Sequence, residues 1–147
     1  MSFTYNYPRP AVTVDAIVIS KSKGQLYVAL IKRANPPFEG DWAFPGGFMD
    51  MDESLEQAVI RELQEETGLA DIQLEQFYTF GDVHRDPRHR TITIVYVGFA
   101  PDELPLLKAG DDAGEATWFS INDLPNLAFD HDEILRKASL KLFPELG

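Results

Sequence analysis

The sequence predicts an α/β fold, an α/β/α sandwich in which helices cover both faces of a mixed β-sheet. Two β-branched runs near the start alternate at strand spacing, and one central helix is signalled at both of its ends. Further strand patterns then lead into a closing helix, an element order that suits a layered sheet.

Ala11 to Ser20 and Gln25 to Arg33 flank the turn Lys21-Ser22-Lys23-Gly24 and read as a hairpin. Pro36, Pro37 and Gly40 mark a loop, after which Trp42-Ala43-Phe44 form a short strand that stops at Pro45-Gly46-Gly47. Ser54 to Thr67 is the clearest helix. Ser54 and Gln57 form a capping box, and Gly68 occupies the place of a left-handed C-terminal cap. Leu55, Ala58, Val59 and Leu63 share one stripe of this helix and face the core, whereas Glu62, Glu65 and Glu66 share another. Ile72 to Phe80 and Thr91 to Ala100 follow as strands, joined by the charged loop His84 to Arg90. A short strand at Ala116 to Phe119, a break at Leu124-Pro125-Asn126 and a helix from Asp130 to Leu142 complete a single expected domain over residues 1–147.

With 147 residues, ten Phe, five Tyr and two Trp, the chain carries enough apolar mass for a packed core. It has no cysteine, so disulfides and thiolate chemistry are excluded and a metal would need oxygen or imidazole ligands. The net charge of −11 opposes binding to extended polyanions but leaves room for a small anionic ligand held by a local arginine cluster. The first ten residues lack the apolar run of a leader and no segment reaches membrane-spanning length, so no membrane partner and a cytoplasmic location are expected.

Three glutamates at i, i+3 and i+4 repel one another on a helix surface. A solvated acidic face with an Arg61–Glu65 pair is one way to accommodate them; a divalent cation held by oxygen donors is the other. The glycine pair lets backbone approach a ligand closely, so that a carbonyl near Gly47 can join such a cation's ligands. The spacing of Gly47, Glu53, Arg61, Glu62, Leu63, Glu65, Glu66, Gly68 and Leu69 fits Gly-x5-Glu-x7-Arg-Glu-U-x-Glu-Glu-x-Gly-U, with U aliphatic. In this pattern the chain resembles the Nudix hydrolases, which implies the Nudix fold and metal-dependent hydrolysis of a phosphoanhydride.

By that resemblance the metal ligands are Glu62, Glu65, Glu66 and Gly47, the ion is Mg2+ with Mn2+ as the alternative, and Arg61 orients a glutamate of its own helix. Glu53 has a supporting place. The general base varies within the family; the candidates are a box glutamate and Glu115, which lies three residues before Trp118 and is otherwise an ordinary exposed carboxylate.

The loop from Phe80 to Arg90 holds Arg85, Arg88 and Arg90 within six residues, as a phosphate site needs, although its aspartates are equally placed to pair with them. Together with Arg9 to Asp15 and Ala128 to His131, this loop is similar to the ADP-ribose pyrophosphatase branch of Nudix proteins. The implied reaction is ADP-ribose to AMP and ribose 5-phosphate. Arg33, Arg85 and Arg88 are the candidate phosphate or ribose contacts, and Phe38, Tyr78 and Phe129 either flank a nucleobase or pack in the core. His131, beside Asp130, has the neighbourhood of a helix cap and is equally a structural residue. The family likeness also implies a homodimer, for which the alternating Phe3, Tyr5 and Tyr7 offer an apolar stripe.

Two other readings stay open. One is a non-catalytic ADP-ribose sensor that regulates transcription; the intact box argues against it. Since the sequence ends about one helix after Phe129, no DNA-reading domain and no nucleic-acid partner are expected. The other is a Nudix hydrolase for nucleoside triphosphates, nucleotide sugars, dinucleoside polyphosphates or capped RNA, because the box recognises diphosphate and metal rather than the attached group.

Overall fold

The computed structural model describes residues 2–110 and 113–142. Strands β1 (Ala11–Ser22), β2 (Gln25–Arg33), β3 (Trp42–Ala43), β4 (Gly46–Phe48), β5 (Glu75–Phe80), β6 (Thr91–Phe99) and β7 (Ala113–Ser120) form one mixed sheet. Helix α1 (Leu55–Thr67) lies between β4 and β5, and α2 (His131–Leu142) follows β7.

β1 is the spine. It runs parallel to β6 from Ala11 to Ile19, the register expected of a strand whose partner is reached by a long crossover. Because its side chains alternate across the sheet, Ile17 and Ile19 enter one core with Val28, Leu30, Val95 and α2's Ile134 and Leu135. Val14, Ala16 and Val18 enter a second core with Ala29, Tyr96 and α1's Ala58, Val59 and Leu63. Both faces of the sheet are therefore covered by a helix, as an α/β/α sandwich requires.

On its other edge β1 changes partner. Residues Ile19 to Ser22 pair antiparallel with β2, whereas Thr13 to Asp15 pair antiparallel with β4. β2 diverges in turn, leaving β1 after Val28 and pairing through Ile31 and Lys32 with β3, while β7 lines its far edge. The segment between β3 and β4 bridges the gap between the two diverging strands. That gap is where the cleft opens.

The helix termini follow the sequence. Ser54 accepts a hydrogen bond from the Gln57 amide at 3.1 Å and Gln57 returns one from the Ser54 amide at 2.9 Å. Gly68, at φ 76°, closes the other end in the left-handed conformation and donates to the Gln64 carbonyl at 2.9 Å.

Several strands differ from the sequence pattern. β1 runs on to Ser22 because Lys21 and Ser22 pair with Leu26 and Gln25, which narrows the expected turn to Lys23-Gly24, and β6 ends at Phe99. The strand expected from Ile72 begins at Glu75, because Ile72 and Leu74 turn into the α1 core and the Gln73 carbonyl crosses directly over Gly98, where a side chain would collide. The strand expected at Ala116 to Phe119 runs from Ala113 to Ser120, drawn out by pairing along β2. Phe44 leaves β3 because its amide donates to a histidine rather than to a strand. β4 had been hidden by its glycine pair, which looks like a turn until β1 is there to pair with it.

Candidate active site

The acidic face of α1 is organised by Arg61. Its guanidinium donates to Glu53 twice, at 2.7 and 3.0 Å, to Glu62 at 2.9 Å and to Glu65 at 3.2 Å. It also reaches the Phe48 carbonyl at 3.3 Å, tying α1 to the end of β4. Its contact with Glu53 holds that carboxyl down at about 2, helped by the Asp50 amide, and the surrounding carboxylates push the guanidinium's own pKa up.

Glu66 escapes Arg61 and turns inward. One carboxylate oxygen accepts the Gly46 amide at 2.7 Å. Burial raises its pKa to about 8 despite that bond, and Glu62, Asp15 and Glu65 push it in the same direction. Glu62 is also raised, chiefly by burial. The glycine pair is required by this packing: a Cβ on Gly47 would come within 2.8–2.9 Å of the Glu62 carboxylate, and one on Gly46 would strike the Val14 carbonyl and Asp15.

Such an arrangement invites a cation. Three carboxyls raise the cost of ionising a fourth, and every donor on this face is a hard oxygen of the kind that magnesium or manganese takes. The glutamates do not converge on one point, since Arg61 holds Glu62 and Glu65 to one side while Glu66 faces Gly46. Among the described residues no three acidic or histidine side chains form a closed cage. The donors fit an open site in which an ion keeps several waters and competes with Arg61 for its carboxylates.

Next to Glu66 the gap between β1 and β2 forms a cleft of about 110 Å³. Ala43, Phe44, Gly46 and Gly47 line it together with Asp15 and His131. Its walls are cationic and aromatic. Phe38 and Phe129 pack at 4.8 Å between ring centroids, Arg33 lies 4.9 Å over the Phe129 ring, and Arg88 lies 5.5 Å over the same ring. Both phenylalanines sit in the left-handed region, at φ 60° and 53°, which is costly for a bulky side chain and occurs where surrounding structure imposes it. Burial and the neighbouring Arg88 lower the Arg33 pKa, as expected of two cations facing each other across a cleft.

The NUDIX domain model matches residues 9–138. The chain belongs to the Nudix family. An ADP-ribose pyrophosphatase of Methanocaldococcus jannaschii is 45% identical over 131 residues, covering 88% of this chain and 73% of the relative. An ADPR-responsive transcriptional repressor of Acinetobacter baylyi is 36% identical, with 93% of this chain matching 56% of its length. Among solved structures, the NUDIX domain of Shewanella oneidensis NrtR complexed with ADP ribose superposes at TM-score 0.86 with 34% identity, covering 92% of this chain and 90% of that one. A bifunctional NMN adenylyltransferase/ADP ribose pyrophosphatase of Francisella tularensis, complexed with AMP and a manganese ion, superposes at 0.78 with 32% identity over 93% of this chain and 43% of that one. Nudix hydrolases are divalent-metal dependent.

Within this Nudix domain the predicted residues divide. Gly47, Glu66, Arg33, Arg85, Arg88 and Phe129 line the cleft, Phe38 packs on Phe129, and Glu62 with Arg61 borders the adjoining cavity over the glycine pair. Arg85 is already engaged: buried to 4% exposure, its fork is closed on Asp130 at 2.7 and 3.0 Å. Arg88 shares itself between the cleft and Asp86, at 2.8 Å. Among the described residues the Arg33 guanidinium bonds only to carbonyls, of Pro37 at 2.7 Å and Asn35 at 3.4 Å.

Tyr78 and Glu115 stand apart from this group. Tyr78 is on β5 under the Lys137 ammonium, 3.6 Å from its ring centroid, and does not line the cleft. Glu115 is exposed on β7 opposite Lys32, in the register alternate to Ile31 and Ala116, and it lines neither the cleft nor the two further cavities that Glu66 borders. Phe48, Asp86, Thr91 and Asp15 also line the cleft, and nothing in the local sequence pattern marks the first three for it. Asp15 carried a visible signal, a carboxylate inside the apolar run Ala11 to Ser20.

Proposed function

We propose that this Nudix domain is a metal-dependent pyrophosphohydrolase, acting on ADP-ribose to give AMP and ribose 5-phosphate. The observation that carries the reading is the adjacency of two chemistries: Glu66 and the glycine pair of β4 line a cleft walled by Arg33, Arg88 and Phe129, and Glu62 borders the cavity beside it. A nucleoside diphosphate linked to a sugar needs both. Similarity to the M. jannaschii enzyme and to an ADP-ribose complex supports the substrate class.

In this reading Glu62, Glu65, Glu66 and the Gly47 carbonyl would hold Mg2+ or Mn2+, with Arg61 orienting Glu62 and Glu65 on the helix face and giving them up to the ion. A divalent ion held there would supply Lewis-acid stabilisation of phosphate charge and a more acidic water. Arg33 and Arg88 bind phosphate oxygens, and Phe129 with Phe38 flanks the base or ribose. Arg85 acts chiefly through Asp130, which it fixes at the start of α2. A base on the box helix suits the placement better than Glu115, which faces away from Glu66. The proposed ligand is a small nucleotide, and the proposed setting is the cytoplasm. Among the described residues no helix is long and apolar enough to cross a membrane.

Turnover of ADP-ribose, nucleotide sugars, dinucleoside polyphosphates and nucleoside triphosphates, with magnesium or manganese and chromatographic identification of products, tests the assignment. ADP-ribose should lead, with AMP as a product. A second reading, a sensor that binds ADP-ribose without cleaving it, is favoured by similarity to the A. baylyi repressor. It requires tight binding with no metal-dependent turnover.

A further inference from the structure

The backbone donors of the turn that carries Gly46 can be followed one by one. β3 ends at Ala43 and β4 begins at Gly46, so Phe44 and Pro45 lie where the chain crosses from β2 to β1 and have no strand ladder to join. The Phe44 amide donates to Nδ1 of His131 at 3.1 Å, in a buried bond. Pro45 has no amide, and its carbonyl accepts from Ala16 at 2.8 Å. The Gly46 amide is thereby left to donate to Glu66. A proline with a fixed φ is the only residue between the two donors, so the position of Phe44 sets the direction of the Gly46 N–H.

His131 is built into this place from every side. It is the first residue of α2 and is 4% exposed. Its ring stacks on Phe44 at 4.8 Å and 20°, and Phe129 packs beside it at 5.7 Å. Its other nitrogen, Nε2, lies 3.9 Å from Asp15, whose carboxylate is itself held by the Thr93 hydroxyl at 2.6 Å. Accepting at Nδ1 requires the proton to be on Nε2, so the ring is the neutral tautomer with its N–H towards Asp15.

We infer that His131 is a positioning residue for the hydrolytic site: by accepting the Phe44 amide it holds the Phe44-Pro45-Gly46 turn at the depth where Gly46 anchors Glu66. The inference rests on the hydrolase reading for its kinetic consequence, but not for its structural one. Among the described residues His131 bonds to the Phe44 amide and faces Asp15, with no hydrogen bond to Glu66 or to the other metal-binding oxygens proposed above. It acts through two residues of backbone, much as partners behind metal ligands fix ligand orientation.

The test uses His131→Phe, which keeps the ring on Phe44 and removes the acceptor, with the Gly46 and Phe44 amides followed by NMR and hydrogen exchange in metal-free, substrate-free protein. The Gly46 amide should move upfield and lose protection, and kcat for ADP-ribose should fall by about tenfold or more, a usual loss for an outer partner of a metal ligand. KM should change less than kcat, since Arg33, Arg88 and Phe129, the ligand contacts of the reading above, are left in place. His131→Gln, whose side-chain carbonyl can accept, should recover part of both signals. An unshifted, fully protected Gly46 amide in a folded His131→Phe protein overturns the inference, as does a loss confined to KM. Should that variant not fold, Pro45→Ala takes its place: Gly46 protection should drop while Phe44 stays protected, and an unchanged Gly46 amide is again the contrary result. The amide readout involves no substrate, so a wrong substrate leaves it standing.

Discussion

Arg61 grips Glu53 through two hydrogen bonds, at 2.7 and 3.0 Å, across the turn that joins β4 to α1. The same guanidinium reaches Glu62 and Glu65, so one planar fork sets the geometry of the whole acidic face. A lysine has the charge but not the fork. Arg61→Lys should therefore fold and lose turnover by about tenfold or more, with little change in ADP-ribose binding by calorimetry. Equal loss in binding and turnover would contradict a role confined to the carboxylates.

The Glu53 carboxyl is held at about 2, below the ordinary carboxylate value of 4.5. The folded state thus favours the ionised form, and the stability this contributes is present above pH 4.5 and is lost as pH falls towards 2. Glu53→Gln should lower Tm at pH 7, and the difference from wild type should shrink through that acid window. A deficit independent of pH would mean that Glu53 supports the fold by packing alone.

Glu66 has the opposite sign. Its folded pKa is about 8 against 4.5, so between these values the metal-free folded protein binds more protons than the unfolded chain and loses stability as pH rises. Thermal unfolding from pH 5 to pH 9 should show this decline in wild type and a flatter profile in Glu66→Gln. Divalent metal should reverse the decline, because it binds the ionised carboxylate. Identical profiles for the two metal-free proteins would count against the buried placement of Glu66.

Arg85 and Asp130 form a pair buried behind the cleft, with exposures of 4% and 19%. Removing one partner leaves an uncompensated charge, so Arg85→Met or Asp130→Asn should cost about 3 kcal/mol in chemical denaturation. Arg33→Met, which breaks no ion pair among the described residues, should instead leave stability nearly unchanged and weaken ADP-ribose binding. The reverse pattern would move phosphate recognition from Arg33 to Arg85.

Phe129 carries Arg33 and Arg88 over its ring and Phe38 at its edge. Phe129→Ala removes a stacking surface and the seat of both cations, an effect of about 1–2 kcal/mol in ligand affinity. Isothermal titration with ADP-ribose should show a rise in Kd of roughly tenfold. No change would place the base or ribose elsewhere.

The sequence announced what is local. Ser54, Gln57 and Gly68 bound α1 by their own chemistry, and the spacing of Glu62, Glu65 and Glu66 puts them on one face whatever surrounds them. What depends on strands meeting at a distance could not be read in advance. β4 becomes a strand only because β1 leaves β2 and needs a partner, and Phe44 leaves β3 because His131 arrives from 87 residues along the chain. The three loop arginines looked alike in sequence, yet Arg85 is closed on Asp130, Arg88 is shared with Asp86 and Arg90 donates to the Gly81 carbonyl. The spacing of Glu115 from Trp118 points to a site residue, whereas the register with Lys32 decides which way it faces.

The most direct test of the proposed hydrolase compares wild type with Glu66→Gln for both binding and turnover of ADP-ribose, with and without magnesium or manganese. Wild type should release AMP only with metal, and the variant should lose at least about a hundredfold in kcat, or about 2.7 kcal/mol of barrier, while still binding ADP-ribose. Tight binding by wild type with no metal-dependent release of AMP would contradict the hydrolase account and leave the domain as a sensor.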